Sequence, residues 1–226
     1  MECNMKKILV IAPHPDDETL GCGGTILKHK TAGDAVHWLI LTSIQEQYSF
    51  AADVVETRQQ EIKTVSSMYG FDDIYDLDFP TMKLDEIPFS ELIGSISGVV
   101  GKVEPDIVYL PFKSDVHTDH QAAFKAAYSC TKSFRYPSIK KIVMMETLSE
   151  TEFAPSTKED SFVPNMFVDI TGFIDSKIEI MKHYKTEIGQ YPFPRSERNI
   201  RALATFRGAT AGCEYAESFM ILKEIN

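Results

Sequence analysis

Apolar residues occur along this chain in short unbroken runs separated by longer stretches with helical spacing. Residues 6–12, 36–42, 107–110 and 141–146 are compact and rich in β-branched side chains, the pattern of strands covered on both faces. Residues 73–77, 167–170 and 218–222 are further strand candidates. Between them, residues 52–69 place Val55, Ile62, Val65 and Met68 at helical intervals and stop at Gly70, which predicts a helix. Helices are also predicted over 21–30, 89–103, 120–131, 174–184 and 196–205, with a polar loop over 150–164 and a turn at 190–194. This alternation predicts an α/β, Rossmann-like fold: a mostly parallel sheet with helices on both faces. No repeat, low-complexity segment or linker interrupts it, so one domain over residues 1–226 is expected.

In such sheets ligands bind outside the carboxyl ends of the strands. Two predicted strands end there in residues that bind metals. The first runs into Pro13-His14-Pro15-Asp16-Asp17-Glu18, and the run at 107–110 is followed by His117-Thr118-Asp119-His120. The two clusters are therefore expected to meet, placing a metal site at the carboxyl ends of the strands. Zinc takes His nitrogen and carboxylate oxygen, and catalytic sites leave one position for water. His14, Asp17 and His120 form such a set, with Asp16 beside it as the general base. Each cluster has a plainer reading as well. Pro and Asp build turns and Asp caps helices, and Asp119 is favourable near the positive end of a helix dipole. Their joint occurrence at two strand ends favours the site. Cys22 is a further ligand candidate, although the set is complete without it. Gly21-Cys22-Gly23-Gly24 lacks the spacing of a nucleotide loop and reads as close helix–sheet packing. His29, His37 and His183 belong to no second cluster.

Composition narrows the partners. A net charge of −10 and a pI near 5.1 argue against nucleic acid. No run of about 18 apolar residues is present, so no membrane span is expected. Lys6-Lys7 and the apolar run after it imitate a secretory leader, but His14–Asp17 interrupt it before a cleavage site. Cys3, Cys22, Cys130 and Cys213 form no CxxC pair and read as reduced thiols in the cytoplasm. Met5 is an alternative start, with residues 1–4 an extension.

These motifs resemble those of the LmbE-like, or PIG-L, deacetylase family. Ala12–Glu18 is similar to its AHPDDE signature, with Pro13 added between Ala and His. His117–His120 is similar to its HxDH signature, Glu56–Glu61 to a helix bearing Arg and Glu, and Tyr215–Phe219 to a closing YAExF segment. The resemblance implies a zinc-dependent hydrolase that removes acetyl from an N-acetylglucosamine-type conjugate. It implies zinc on His14, Asp17 and His120, and Asp16 as base. His117 would steady the oxyanion or protonate the leaving amine, Asp119 would orient His117 by accepting its other ring proton, and Arg58 would contact substrate. The expected partner is a small amino-sugar conjugate, with a homo-oligomer left open. The ligand set also suits iron or cobalt. A zinc esterase or amidase acting on a non-sugar acyl group is the alternative; a non-catalytic Rossmann-like binding protein conflicts with the intact site. Arg195, Arg198, Arg201 and Arg207 form the only basic concentration. They read as a helix face paired with acidic neighbours, or a subunit contact, ahead of a clamp for an anionic aglycone.

Overall fold

β1 (Lys7–Ala12) shows why a strand of this kind carries no polar face. Ile8, Val10 and Ala12 pack into one hydrophobic cluster, whereas Leu9 and Ile11 pack into another on the opposite side of the sheet. Successive side chains point to opposite faces, so a strand covered on both sides reads as continuously apolar. β2 (Ala35–Ser43) follows the same rule, with Trp38 and Ile40 on one side and Leu39 and Leu41 on the other.

The computed structural model describes residues 5–226; Cys3 and the 1–4 extension lie outside the described residues. The remaining elements are α1 (Asp17–Thr31), α2 (Ala52–Tyr69), β3 (Asp73–Pro80), α3 (Phe89–Val103), β4 (Ile107–Leu110) and α4 (Thr118–Ser129). β5 (Lys141–Met145), β6 (Met166–Asp169), α5 (Ile174–Met181), α6 (Glu197–Ala211) and β7 (Ala216–Glu224) complete the chain. The seven strands lie in the order β3-β2-β1-β4-β5-β7-β6. The first five are parallel, and β7 runs antiparallel to both β5 and β6. α3 and α4 cover one face, and α1, α2, α5 and α6 contribute to the other. Among the described residues, no helix is long and apolar enough to cross a membrane.

β1 and β4 are neighbours, with Ile8 opposite Ile107 and Val10 opposite Tyr109. The chain leaves β1 toward β2 and β3, and leaves β4 toward β5. This is the switch point at which the loops on either side part and open a crevice. The loops carrying His14–Asp17 and His117–His120 both leave the sheet there.

α1 differs from the expected helix in two ways. It begins at Asp17, four residues before Gly21, because the Asp16 carbonyl accepts the N–H groups of Thr19 and Leu20 at 3.0 and 2.9 Å. It is also broken at Cys22, where φ is −150°. The break exposes N–H groups inside the helix, and Glu217 of β7 caps them. Its two carboxylate oxygens accept from Gly24 N at 2.9 Å and Thr25 N at 2.7 Å. Lys177 of α5 closes the arrangement, donating to Glu217 at 2.7 Å and to the Leu20 carbonyl at 3.0 Å. Hydrophobic spacing cannot register such a break, because the cap comes from 193 residues away. The glycines here permit the expected close packing: a Cβ on Gly24 would lie 2.7 Å from Ile170.

Candidate active site

The backbone after β1 turns sharply to begin α1. Asp16 takes φ = 130°, a conformation that side-chain-bearing residues adopt at a cost of about 1–3 kcal/mol. Neighbours hold the turn in place. Asp16 N donates to Glu18 Oε2 at 3.0 Å, and Tyr184 OH donates to Glu18 Oε1 at 2.9 Å. Burial pushes the Glu18 carboxyl up to about 7, against these hydrogen bonds. Asp16 occupies the helix-capping position but its side chain makes no capping bond, so the carboxylate is available for other work.

Three candidate ligand atoms converge at this turn. Asp17 Oδ2 lies 3.3 Å from His14 Nδ1 and 3.2 Å from His120 Nε2. The other nitrogen of each ring rests on a carboxylate: His14 Nε2 is 2.9 Å from Asp119 Oδ2, and His120 Nδ1 is 2.9 Å from Asp115 Oδ2. These contacts place each ring proton away from the convergence point, as carboxylates behind metal-bound histidines do. Thr151 donates to the second oxygen of Asp115 at 2.7 Å.

The donor set fits a divalent cation. His120 Nε2 is buried without a hydrogen-bond partner, and the ligand atoms of His14, Asp17 and His120 lie within 4.8 Å of one another. Burial opposes a proton on His14, but Asp119 and Asp17 outweigh it and raise its pKa to about 9. Burial likewise opposes a low pKa at Asp17, yet the facing histidines hold its carboxyl well below the usual range. The pocket is thus short of positive charge. His14, His117 and Asp119 form a second close group, but His14 Nε2 and Asp119 are already bonded to each other. Cys22 packs in the core and joins neither group.

Asp119 does not take a ring proton from His117. Its carboxylate receives His14 and the backbone N–H groups of Met82 and Leu84, at 2.7 and 3.0 Å. His117 caps α4 instead, its Nδ1 accepting from the Asp119 backbone N–H at 3.0 Å. The cap and the carboxylate compete for the same turn, and the carboxylate is drawn to His14. Burial and the nearby His14 ring lower the His117 pKa to about 4. With Nδ1 accepting, the neutral ring carries its proton on Nε2.

A cavity of about 220 Å³ opens over these groups, with His14, Asp16, Asp17, His117, Arg58 and Arg195 in its wall. Arg58 lines it, but its guanidinium is engaged by the protein. It donates to the Pro15 carbonyl at 3.0 Å and to Glu187, and lies 3.3 Å from Glu61. Arg195 departs from the helix-face reading. Its Nη1 donates to Asp16 Oδ2 at 2.8 Å and to Glu187 Oε2 at 2.6 Å, and its Nε donates to Ser149 at 2.7 Å. Arg201 and Arg207 follow that reading, pairing with Asp175 and Glu146, whereas Arg198 lies over the Tyr191 ring. Burial and the charge of Asp17 push the Asp16 carboxyl well up, and Arg195 pulls it back. Glu150 also lines the cavity, with Oε2 buried and unpartnered.

Sequence reasoning missed Asp115, Glu150, Glu187 and the placement of Arg195. Asp115 had a signal, being a carboxylate five residues before a ligand histidine on one loop. Glu187 lies in a stretch with no motif, and Arg195 was masked by its arginine neighbours.

The PIG-L family model, described as GlcNAc-PI de-N-acetylase, matches residues 9–131. A diacetylchitobiose deacetylase of Thermococcus kodakarensis is 26% identical over 230 residues, covering 98% of this chain and 85% of that protein. A probable N-acetyl-α-D-glucosaminyl L-malate deacetylase 2 of Bacillus anthracis is 21% identical over 81% of this chain and 82% of its own length. The N,N′-diacetylchitobiose deacetylase structure from Pyrococcus horikoshii shares the fold, with a TM-score of 0.78 and 24% identity over 97% of this chain and 85% of that one.

Proposed function

The chain belongs to the PIG-L family of de-N-acetylases, and from that premise we propose that it is a zinc-dependent hydrolase acting on an N-acetylglucosamine-type amino-sugar conjugate. It releases acetate and a free amine. One observation carries the reading: a partnerless His120 Nε2 converges with His14 and Asp17 beneath a cavity whose wall also holds Asp16, itself held by an arginine. Two of the relatives, a diacetylchitobiose deacetylase and a probable N-acetyl-α-D-glucosaminyl L-malate deacetylase, bear the names of deacetylases of N-acetylated sugars, which supports the substrate class.

His14 Nδ1, Asp17 Oδ2 and His120 Nε2 would hold the metal. A divalent cation there supplies Lewis acidity, polarising the amide carbonyl and lowering the pKa of water to about 7. Asp16 is the base. Arg195 fixes its Oδ2, leaving Oδ1 to take the proton of the attacking water. His117 Nε2–H donates to the oxygen that gains negative charge as the carbonyl carbon becomes tetrahedral. A neutral imidazole fixed by the α4 cap is a donor to an oxyanion rather than a source of protons. The leaving nitrogen therefore receives its proton from Asp16, whose raised pKa suits a group that accepts and then returns one. The carbon–nitrogen bond breaks as the water oxygen stays on the acetyl carbon.

The test is acetate release by purified protein from N-acetylglucosamine conjugates, before chelation, after it, and after zinc is restored. Release that is lost and regained supports the reading. A zinc-loaded protein that releases acetate from none of them, yet cleaves a non-sugar acyl ester or amide, would overturn it.

A further inference from the structure

A second cavity of about 440 Å³ adjoins the first, sharing Pro15, Ile44 and Arg58 in its wall. It is built from the end of β2 and the loop after it, the facing side of α2, and Asp76 and Asp78 of β3. Gln45 Nε2 donates to the Asp78 carbonyl at 2.8 Å and to Ser43 Oγ at 3.2 Å, and Gln47 Nε2 donates to Gln45 Oε1 at 2.5 Å. The Ser43 hydroxyl bonds the Asp78 carboxylate, and Asp78 N donates to Asp76 Oδ1 at 2.9 Å. The wall is thus a preorganised set of amides, a hydroxyl and carboxylates, with the Phe50 ring in the wall of the first cavity.

Charge decides what such a wall accepts. Apart from the proposed metal, the cations of the two cavities are Arg58 and Arg195, and both are already paired: Arg58 with Glu187 and Glu61, Arg195 with Asp16, Glu187 and, at 3.7 Å, one oxygen of Glu150. Against them stand Glu46, Asp76 and Asp78 in the second cavity, and Glu150 with an unpartnered oxygen in the first. An incoming carboxylate or phosphate finds no unpaired cation among the described lining residues, and repulsion between like charges excludes wrong partners. Hydroxyls and amines find acceptors and amide donors.

We infer that the second cavity is the subsite for the rest of the conjugate, and that it takes an uncharged or amine-bearing sugar unit rather than an anionic group. The inference rests on the amino-sugar reading and narrows it. Within a family whose named relatives include enzymes for a neutral disaccharide and for a malate conjugate, it sets this chain apart from the anionic kind.

The test uses the zinc-loaded full chain and four probes: N-acetylglucosamine alone, and N-acetylglucosamine linked to a neutral hexose, to glucosamine and to glucuronate. The expected result is a kcat/KM at least about tenfold higher for the hexose and glucosamine conjugates than for the glucuronate one, with the gap shrinking as salt rises. The Asp76→Asn, Asp78→Asn double variant should narrow the gap by improving the glucuronate conjugate. Faster glucuronate turnover, or a ratio that neither salt nor the double variant moves, overturns the subsite. Equal turnover of all four leaves the amino-sugar reading standing and removes this inference alone. Acetate from none of them, with zinc bound, removes both.

Discussion

The two sides of the catalytic cavity are built in different ways. On the metal side every group comes from one of two short segments: His14 and Asp17 leave β1 together, while Asp115, Asp119 and His120 share the loop and first turn after β4. Each ligand histidine is braced by a carboxylate from that one loop. On the base side only Asp16 is local. Its arginine lies 179 residues away, and Glu187, which joins Arg195 to Arg58, sits 129 residues from Arg58. The metal side is a pair of motifs. The base side is an assembly of single residues that tertiary structure alone brings together, and its contribution is to orient and tune rather than to bind.

This contrast can be broken at several points. The largest effect is expected from His120→Ala, which should empty the metal site and bring acetate release to background. Elemental analysis showing one metal per chain in that variant would reassign the ligands. Asp16→Asn comes next: metal content should hold while kcat falls by about 10²- to 10⁴-fold. A rate close to that of the parent protein would place the base elsewhere. Asp115→Asn and Asp119→Asn should each weaken metal binding by about 10- to 100-fold, measured by competition with a chelator. Here the resemblance and the geometry diverge. If Asp119 served His117, its variant would lose kcat and keep metal affinity.

The smallest effect is expected on the base side. Arg195→Ala should keep the metal and lower kcat/KM by about tenfold near neutral pH. Without the arginine's charge the Asp16 carboxyl ionises less readily, so the acid limb of the pH profile should move to higher pH. Arg195→Lys should reverse part of the shift. A profile that stays in place, with KM raised for anionic conjugates only, would make Arg195 a substrate clamp.

The same contrast explains what was legible in the sequence. β1, β2, β4 and β5 were readable because burial on both faces leaves an unbroken apolar run; β3, β6 and β7 are more exposed, yet all seven strands lie close to where the pattern places them. The meeting of His14, Asp17 and His120 followed from strand ends alone. Topology was less accessible. β7 turns antiparallel between β5 and β6, and nothing in the composition of residues 218–222 distinguishes that from another parallel strand. The break at Cys22 was hidden because its cap is distant. Arg195 was hidden because an arginine facing solvent and one facing a cavity look alike in a polar stretch. The direction of the Asp119 carboxylate was a choice between two histidines, and only packing decides it.

The cap that Glu217 places on α1 has a temporal consequence. The helix that begins with Asp17 is finished by a residue made 193 positions after Gly24. At typical translation rates of 5–20 residues per second, Glu217 follows Gly24 by roughly 10–40 s. During that interval the break in α1 lacks the Glu217 cap on Gly24 and Thr25, and a nascent chain stalled before Ala216 is expected to be cut by protease near Cys22, where the released chain resists. β7 therefore acts as a delay built into the chain: the candidate ligands are all made by residue 120, yet the helix that begins at Asp17 is capped at its break only once Glu217 has been added.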